Sequence, residues 1–225
     1  MHSFKVDYNT VSTELCDLGK IYNTDKSSQR LDSSYIRNCC AYTVFYDALF
    51  RSQKNSALNI AELGVLEGSS LRMWKDYFTN ANIVGFDNDN DFLERYKCMY
   101  GLERVSLYPM DVHSEESIYN AFLETGRQYD IIIEDTTHQF QDQIRVIFKA
   151  YEFLKPGGVL IIEDIFRINK ESDYFEALSS ILGNFQDYYF LDIKHENQIS
   201  TGWNNEKLLV LIKGGGEPIF TSVNF

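Results

Sequence analysis

Short apolar segments alternate with amphipathic segments along most of the chain. Five runs are apolar over nearly their whole length, as in strands buried on both faces: residues 57–65, 82–87, 104–109, 130–134 and 159–163. Helical spacing of apolar residues predicts helices between and after them: residues 69–78, 91–100, 114–126 and 140–154. This alternation is typical of a parallel sheet that is covered by helices on both faces.

The C-terminal part of the chain departs from this alternation. A predicted helix over 172–182 is followed by two apolar runs, 187–193 and 207–213, with no helix-length segment between them. Two strands joined in this way favour an antiparallel hairpin with a long loop. Since parallel crossovers are right-handed, we expect an α/β fold: a Rossmann-like, doubly wound and mostly parallel seven-stranded sheet with a C-terminal antiparallel hairpin.

The first 40 residues are polar and carry no sustained period. They predict an irregular N-terminal extension with one short helix at most, which could serve as a lid over a cleft. Residues 41–52 predict a helix with an apolar face, formed by Val44, Phe45, Ala48 and Leu49. No linker or internal repeat interrupts the rest of the chain, so we expect one domain over 41–225.

The composition and net charge of the chain argue against nucleic-acid and membrane partners. The 225 residues include 21 Lys and Arg against 33 Asp and Glu, and the formal net charge of −12 disfavours a duplex nucleic-acid partner. No apolar run reaches the ~18 residues that cross a bilayer, and the N-terminus lacks a signal-peptide pattern. The 4 cysteines form no C-x-x-C pair. We therefore expect a cytoplasmic protein with reduced thiols and no membrane partner.

Acidic residues stand at or near the carboxyl ends of all five central strands. They are Glu62, Asp87, Asp111, the pair Glu134 and Asp135, and the pair Glu163 and Asp164. The carboxyl ends of parallel strands meet at one edge of the sheet, where open α/β folds bind their ligands. The sequence therefore predicts a ligand cleft that is lined by carboxylates.

Two glycines follow the first of these strands in the spacing Gly64-x-x-x-Gly68, and Ser69 comes next. Glycine here allows either the close approach of a nucleotide-like ligand to the backbone or a tight strand-to-helix turn. Asp87, at the end of the second strand, can accept hydrogen bonds from both hydroxyls of a ribose, or it can cap the helix that follows. The sequence leaves both alternatives open at each position.

Three acids at the ends of the fourth and fifth strands predict a metal site. These strands are neighbours in a doubly wound sheet, about 4.8 Å apart, so Asp135, Glu163 and Asp164 are expected to converge. Their mutual repulsion would raise their pKa values, and a hard divalent cation such as Mg²⁺ removes that cost. The alternative is that these acids cap the following helices and stay solvated. Glu134 should point away from Asp135, because successive residues of a strand face opposite sides.

Several segments resemble a known family. The stretch E-L-G-V-x-x-G-S-S-L-R-M-W followed by I-V-G-F-D looks like motif I and the second strand of class I S-adenosylmethionine-dependent methyltransferases. The stretch D-I-I-I-E-D-T-T-H and the later F-L-K-P-G-G-V-L-I-I-E-D are similar to the metal-dependent macrolide sugar O-methyltransferases of the mycinamicin and macrocin type. Y-N-T-D-K, residues 22–26, resembles the Y-G-T-D-K lead-in of their relatives. The resemblance covers about residues 20–213.

The resemblance implies S-adenosylmethionine and Mg²⁺ as cofactors and assigns site residues. The metal ligands would be Asp135, Glu163 and Asp164. His138 would be the general base, because a neutral imidazole can take a proton from the acceptor hydroxyl; the alternative is a histidine that packs on Phe140 at the start of a helix. The expected cofactor-binding residues are Glu62, Gly64, Gly68, Ser69, Asp87, Asp111 and Glu134.

One departure from the family concerns Thr136 and Thr137, where the family has Gly-Ser. Threonine disfavours a left-handed backbone that glycine permits, so the placement of His138 depends on the turn. We expect a Mg-assisted O-methyltransferase that acts on a hydroxyl of a sugar or glycosylated small molecule. A catechol-type O-methyltransferase and a non-catalytic cofactor-binding regulatory protein are the alternatives.

The cleft also needs an acceptor pocket and a cover. The lid would come from residues 1–40, from residues 165–173, or from a second subunit of a homo-oligomer. Five aromatic residues could line the pocket or belong to the core: Phe166, Tyr174, Tyr188, Tyr189 and Trp203.

Overall fold

An eight-stranded sheet runs through the part of the chain that the structure describes. The structure is a computed structural model and describes residues 2–6, 12–27, 40–100, 103–195 and 206–220. The strands are β1 (His2–Val6), β2 (Asn59–Leu63), β3 (Asn82–Asp87), β4 (Val105–Pro109), β5 (Tyr129–Glu134), β6 (Leu154–Ile162), β7 (Phe185–His195) and β8 (Lys207–Lys213). The helices are α1 (Glu14–Tyr22), α2 (Tyr42–Phe50), α3 (Ser69–Tyr77), α4 (Asn90–Tyr100), α5 (Glu115–Glu124), α6 (Phe140–Ala150) and α7 (Glu171–Ala177).

The strand order is β1-β7-β8-β6-β5-β2-β3-β4. β8 runs antiparallel to both of its neighbours, β6 and β7, and every other neighbouring pair is parallel. The chain builds outward from β2 to β3 and β4, and then returns to the other side of β2 to form β5. This reversal leaves a crevice at the carboxyl ends of β2 and β5, which is where open α/β sheets bind ligands.

All seven predicted strands form, and the predicted antiparallel hairpin is confirmed as β7 and β8. The eighth strand was not expected, because residues 1–40 carry no pattern that predicts regular structure at their start. His2–Val6 gains its backbone hydrogen bonds by parallel pairing with β7, from His2 opposite Leu191 to Val6 opposite His195. A short edge strand of this kind depends on a partner far away in the sequence, and the local pattern does not show it.

Two predicted helices end earlier than their apolar pattern suggests. α6 stops at Ala150 and tightens into a 3₁₀ turn, Tyr151–Phe153, before β6 begins at Leu154. β6 therefore starts before the Pro-Gly-Gly segment, which it includes, and the pairing with β5 is irregular between Tyr129 and Ile131. α7 ends at Ala177 and is followed by turns.

The sheet has an apolar layer on each face. Successive residues of β5 alternate between the layers: Ile131 and Ile133 pack with α1, α2 and α3, and Ile132 packs with α5 and α6. The described parts of the predicted N-terminal extension lie against this domain, because α1 contacts both α2 and α3. No described helix is both long and apolar enough to cross a bilayer.

Candidate functional site

A cavity of about 380 Å³ opens at the carboxyl ends of the central strands. Its walls come from the loop after β2, the end of β3, the segment after β4, the loop after β5, Asp164 after β6 and the segment that follows α1. Six of the predicted site residues line it: Gly64, Ser69, Asp87, Asp135, His138 and Asp164. Five others, all described, lie outside the lining: Glu62, Gly68, Asp111, Glu134 and Glu163.

Two glycines and Asp87 determine the conformation of the loop after β2. Gly64 and Gly68 have φ values of +82° and +72°, which is a left-handed backbone that favours glycine. The Asp87 carboxylate accepts hydrogen bonds from the amides of Val65, at 2.9 Å, and Leu66, at 3.1 Å. The two glycines are therefore required by the left-handed backbone of the loop. Asp87 binds the loop to the end of β3 and also lines the cavity.

Gly64→Ala is expected to lower the free energy of unfolding by more than the ~1–2 kcal/mol that a left-handed backbone costs an L-residue. The additional loss has a steric cause, because a Cβ at Gly64 would lie 2.0 Å from the carbonyl oxygen of Asp135. Urea unfolding of the variant and the wild type measures the difference.

Gly126→Ala is the matched control for this prediction. Gly126 also has a left-handed backbone, with φ +62°, but a Cβ there would meet no atom within 4 Å. It should lose only the conformational part of the free energy. Equal losses in the two variants would contradict the close approach of the β2 and β5 loops at Gly64.

Asp135, His138 and Asp164 form a group that could hold a metal ion. One ligand atom from each lies within 4.8 Å of the others. The imidazole Nδ1 is 3.8 Å from Asp135 Oδ1, and Nε2 is 3.7 Å from Asp164 Oδ2. Nδ1 is buried without a hydrogen-bond partner among the described residues. Burial and the nearby Asp135 carboxylate raise the pKa of Asp164 to about 8. The group thus presents two acids and an imidazole to the cavity.

The turn after β5 explains how Thr136 and Thr137 are accommodated. The left-handed residue of this turn is His138 itself, with φ +58°, and neither threonine has a positive φ. Thr136 donates through its amide and its hydroxyl to the Glu134 carboxylate, and the Thr137 hydroxyl donates to Asp142 at 2.7 Å. Asp164 is left-handed as well, with φ +55°. Strained backbone at both positions is the kind found at functional sites.

Lys26 was missed by the sequence analysis, and it lies at the centre of the acids. Its side chain is only 2% exposed. Its Nζ lies 2.6 Å from Glu163 Oε2 and 3.4 Å from Glu62 Oε1, and it also forms a short ion pair with Asp135 Oδ2. Burial opposes the charge on Lys26, but the carboxylates of Asp135, Glu163 and Glu62 together outweigh it and raise the Lys26 pKa well above its ordinary value.

Glu163 does not join Asp135, His138 and Asp164. Both of its carboxylate oxygens are taken, one by Lys26 and the other by the hydroxyl of Tyr46, which donates at 2.5 Å. Burial raises the pKa of Glu163 well above its usual range, and the Lys26 charge offsets part of this effect. Tyr42 supports Asp164 in the same way, with its hydroxyl donating to Oδ1 at 2.5 Å.

Three further predicted residues lie behind or beside the cavity. Glu62 is fully buried and accepts a hydrogen bond from Ser70 Oγ at 2.8 Å. Glu134 is also buried, on the α6 side of the sheet, and burial raises its pKa to about 7. Asp111 is exposed, and its carboxylate accepts a hydrogen bond from the amide of His113 at 2.9 Å. Its neighbours in sequence, Met110 and Val112, line the cavity. A contact of any of these with a cofactor stays a prediction.

The aromatic candidates for an acceptor pocket separate into two groups. Tyr174 belongs to the core: it is fully buried, donates to Gln143 and packs edge-to-face on Phe140. Phe166 and Tyr189 are half-buried and Tyr188 is 39% exposed. Trp203 lies outside the described residues.

Three donors to Asp135, Glu163 and Asp164 come from the N-terminal part of the chain: Lys26 from the segment that follows α1, and Tyr42 and Tyr46 from α2. A signal for Lys26 was present in the Y-N-T-D-K lead-in. Tyr42 and Tyr46 are one helical turn apart, so they share a face of α2, but nothing in the local sequence shows that this face meets the ends of β5 and β6.

The strand order, with β8 antiparallel to its neighbours, confirms the predicted Rossmann-like architecture, and the fold is similar to that of solved methyltransferases. The chain superposes on MycE, a methyltransferase from the mycinamycin biosynthetic pathway solved in complex with Mg, S-adenosylhomocysteine (SAH) and mycinamycin VI. The TM-score is 0.66 at 21% identity, over 93% of this chain and 58% of that chain.

Curated relatives agree with the resemblance found in the sequence. Demethylmacrocin O-methyltransferase of Streptomyces fradiae is 29% identical over 133 residues, which cover 55% of this chain and 31% of the relative. Mycinamicin VI 2''-O-methyltransferase of Micromonospora griseorubida matches with the same identity and coverage. The chain thus spans about a third of the length of these relatives. No protein-family model matches the chain.

Proposed function

We propose that this chain is an S-adenosylmethionine-dependent, Mg²⁺-assisted O-methyltransferase that acts on a hydroxyl of a sugar or glycosylated small molecule. The observation that carries the proposal is the convergence of Asp135, His138 and Asp164 at the cavity beside the glycine loop. Similarity to sugar O-methyltransferases supports the acceptor class. The absence of a nucleic-acid partner and the formation of a homo-oligomer both stay predictions.

The side chains at the site fit a divalent cation. Asp135 and Asp164 supply the carboxylate oxygens that Mg²⁺ prefers, and His138 has a buried nitrogen without a partner among the described residues. The ammonium group of Lys26 lies against the carboxylates of Asp135, Glu163 and Glu62, and the carboxylates of Asp164 and Asp25 also interact electrostatically with it. The excess negative charge favours a second positive charge at the cavity. When bound, Mg²⁺ would lower the pKa of an acceptor hydroxyl.

The chain's own residues then have distinct tasks. The loop from Gly64 to Ser69, with Asp87 beneath it, would hold the nucleoside of the cofactor. His138 would take the proton of the acceptor hydroxyl as that oxygen bonds to the methyl carbon and the carbon–sulfur bond of the sulfonium breaks. Because the sulfonium is a good leaving group, alignment and deprotonation are the main requirements on the protein.

Asp87→Ala is expected to weaken binding of S-adenosylhomocysteine by at least ~1.5 kcal/mol, the low end for losing hydrogen bonds to a charged group. Calorimetric titration measures the change. Asp87→Asn keeps an acceptor oxygen for the amides of Val65 and Leu66 but loses the charge, so it should also bind more weakly while the loop remains intact. Asp91→Ala, an exposed acid at the start of α4, is the control. Unchanged affinity in both Asp87 variants would remove Asp87 from the cofactor site.

A comparison of acceptors tests the substrate class. At saturating S-adenosylmethionine and Mg²⁺, glycosides with free hydroxyls should be methylated and simple catechols should not. Transfer to catechols alone would replace the sugar acceptor with a catechol-type acceptor. Tight cofactor binding with no transfer to any acceptor would favour a non-catalytic cofactor-binding protein.

A further inference from the structure

Two tyrosines of α2 bond the two consecutive acids that follow β6. The Tyr42 hydroxyl donates to Asp164 Oδ1 and the Tyr46 hydroxyl donates to Glu163 Oε1, each at 2.5 Å. Residues four apart lie on one face of a helix, so α2 presents both hydroxyls on the same side. β6 ends at Ile162, and the two acids come directly after it. A pair of neutral donors on one helix therefore meets a pair of acids at the end of one strand.

The position of the Tyr46 hydroxyl is fixed by the packing of its ring. Tyr46 is fully buried, and its ring packs edge-to-face on Trp74 with the ring centroids 5.4 Å apart. On α2 itself it stacks with Phe50 at 6.0 Å. A tyrosine hydroxyl keeps its proton near neutral pH, so it remains a neutral donor. A ring held in this way carries its hydroxyl to one place, and the acceptor there is Glu163 Oε1.

Glu163 keeps the capacity to bind a metal ion while it accepts hydrogen bonds. Its other oxygen, Oε2, accepts from Lys26 Nζ at 2.6 Å. A carboxylate has about four lone-pair sites on its two oxygens, so the bonds from Tyr46 and Lys26 leave about half of them available. Acids that bind metals are themselves hydrogen-bonded by surrounding residues, which set their orientation. The contacts of Glu163 therefore fit a metal ligand, which is the role that the resemblance predicts for it.

We propose that Tyr46 is a positioning residue, which holds the Glu163 carboxylate in the orientation that binds a divalent ion, as Tyr42 does for Asp164. This inference rests on the proposed metal-assisted function and on Glu163 as a ligand. Tyr46 tests it better than Lys26 does. Loss of Lys26 would change both the orientation of the acids and the charge that the ion meets, whereas loss of the Tyr46 hydroxyl leaves the charge unchanged.

Tyr46→Phe tests the proposal, because it removes only the hydroxyl and keeps the ring that packs on Trp74. The probe is Mn²⁺, which accepts the same oxygen ligands as Mg²⁺. Titration of the full chain, with free Mn²⁺ followed by electron paramagnetic resonance, should show an affinity ~10–100-fold weaker than that of the wild type. This is the usual loss when a residue that supports a metal ligand is removed. Urea unfolding measures the stability of the same variant.

Tyr77→Phe is the matched control. Tyr77 is also fully buried, and its hydroxyl donates at 3.0 Å to a buried acid, Asp47, which follows Tyr46 on α2. The variant loses the same kind of bond on the same helix, so it should lose stability but keep the wild-type affinity for Mn²⁺. Equal weakening of Mn²⁺ binding in both variants would overturn the proposal, because a general loosening of α2 would explain it.

Glu163→Gln shows whether Tyr46 acts through Glu163. This variant should itself weaken Mn²⁺ binding, and Tyr46→Phe should cost little more in its background, since the carboxylate to be oriented is gone. If Tyr46→Phe costs the same with and without the Glu163 carboxylate, the proposal is wrong. Glu163→Gln with wild-type affinity would also overturn it, and this result decides the question even if Tyr46→Phe does not fold.

The wild type separates this proposal from the proposed function. If the wild type binds Mn²⁺ and Tyr46→Phe binds it equally tightly, the positioning role fails and the proposed methyl transfer stands. A wild type that binds no Mn²⁺ would refute both the positioning role and the metal assistance. A wild type that binds Mn²⁺ more tightly than Tyr46→Phe but transfers no methyl group would refute the function alone.

Discussion

His138→Ala is expected to lower kcat by ~10²–10⁴-fold while the affinity for S-adenosylhomocysteine stays nearly unchanged. The imidazole lies between Asp135 and Asp164, with its two nitrogens 3.8 and 3.7 Å from their oxygens, and it lines the cavity. An acceptor hydroxyl that is bound beside Asp135 and Asp164 would therefore lie close to the His138 imidazole, which can take its proton. Steady-state kinetics at saturating cofactor and acceptor, together with a cofactor titration, measure the two quantities.

His138→Gln should do no better than alanine, because an amide can hold a hydrogen bond but does not take the proton. His113→Ala is the control, since His113 is exposed and bonded to Asp142 rather than to the cavity acids. Mn²⁺ binding separates the two roles that His138 could have. A base leaves the affinity for Mn²⁺ largely intact, whereas loss of the ion in step with loss of kcat would make His138 a ligand. A variant that keeps most of its kcat would contradict both roles.

Asp164→Asn is expected to weaken Mn²⁺ binding by at least ~100-fold and to remove metal-dependent activity. Loss of a group that only supports a metal ligand already costs ~10–100-fold, and Asp164 would contact the ion directly. The residue is held for this task by a left-handed backbone and by the Tyr42 hydroxyl. Titration with Mn²⁺ measures the affinity, and activity is followed over a range of Mg²⁺ concentrations.

Two further variants serve as comparisons for Asp164→Asn: Tyr42→Phe, with a smaller expected effect, and Asp91→Asn, with none. Tyr42→Phe removes the hydroxyl that orients Asp164, so it should weaken Mn²⁺ binding, but by less than the loss of the Asp164 carboxylate does. Asp91→Asn changes an exposed acid on α4 and should have no effect. If Asp164→Asn binds Mn²⁺ as tightly as the wild type, Asp164 is not a ligand and the metal site must be sought elsewhere.

The central strands could be predicted because each is buried on both faces. Their apolar runs are nearly uninterrupted, and they share a common edge where acids follow the last apolar residue. That regularity was enough to bring Asp135 and Asp164 together from sequence alone. The parts that failed depend on partners far away in the chain, as β1 does on β7 and as Lys26 does on three separate strands.

The charge balance of the site shows the same limit in chemical terms. The sequence predicts that converging carboxylates need a cation, and it assigns that cation to a metal held by Asp135, Glu163 and Asp164. In the structure Lys26 supplies a positive charge among these acids: Glu163 is bonded to Lys26 and Tyr46, and Asp135 and Asp164 lie beside His138. A contact of Glu163 with a metal stays a prediction. A pattern of acids reveals the need for positive charge, but only tertiary structure reveals its source.

Methyl transfer before and after chelation tests the central claim most directly. S-adenosylmethionine with an isotope-labelled methyl group would be incubated with the protein and a panel of glycosides, first with Mg²⁺, then with a chelator, and then with Mg²⁺ restored. The account predicts label on a sugar hydroxyl, its loss on chelation and its return with the metal. Label transfer that survives exhaustive chelation would contradict the metal-assisted mechanism built on Asp135, His138 and Asp164.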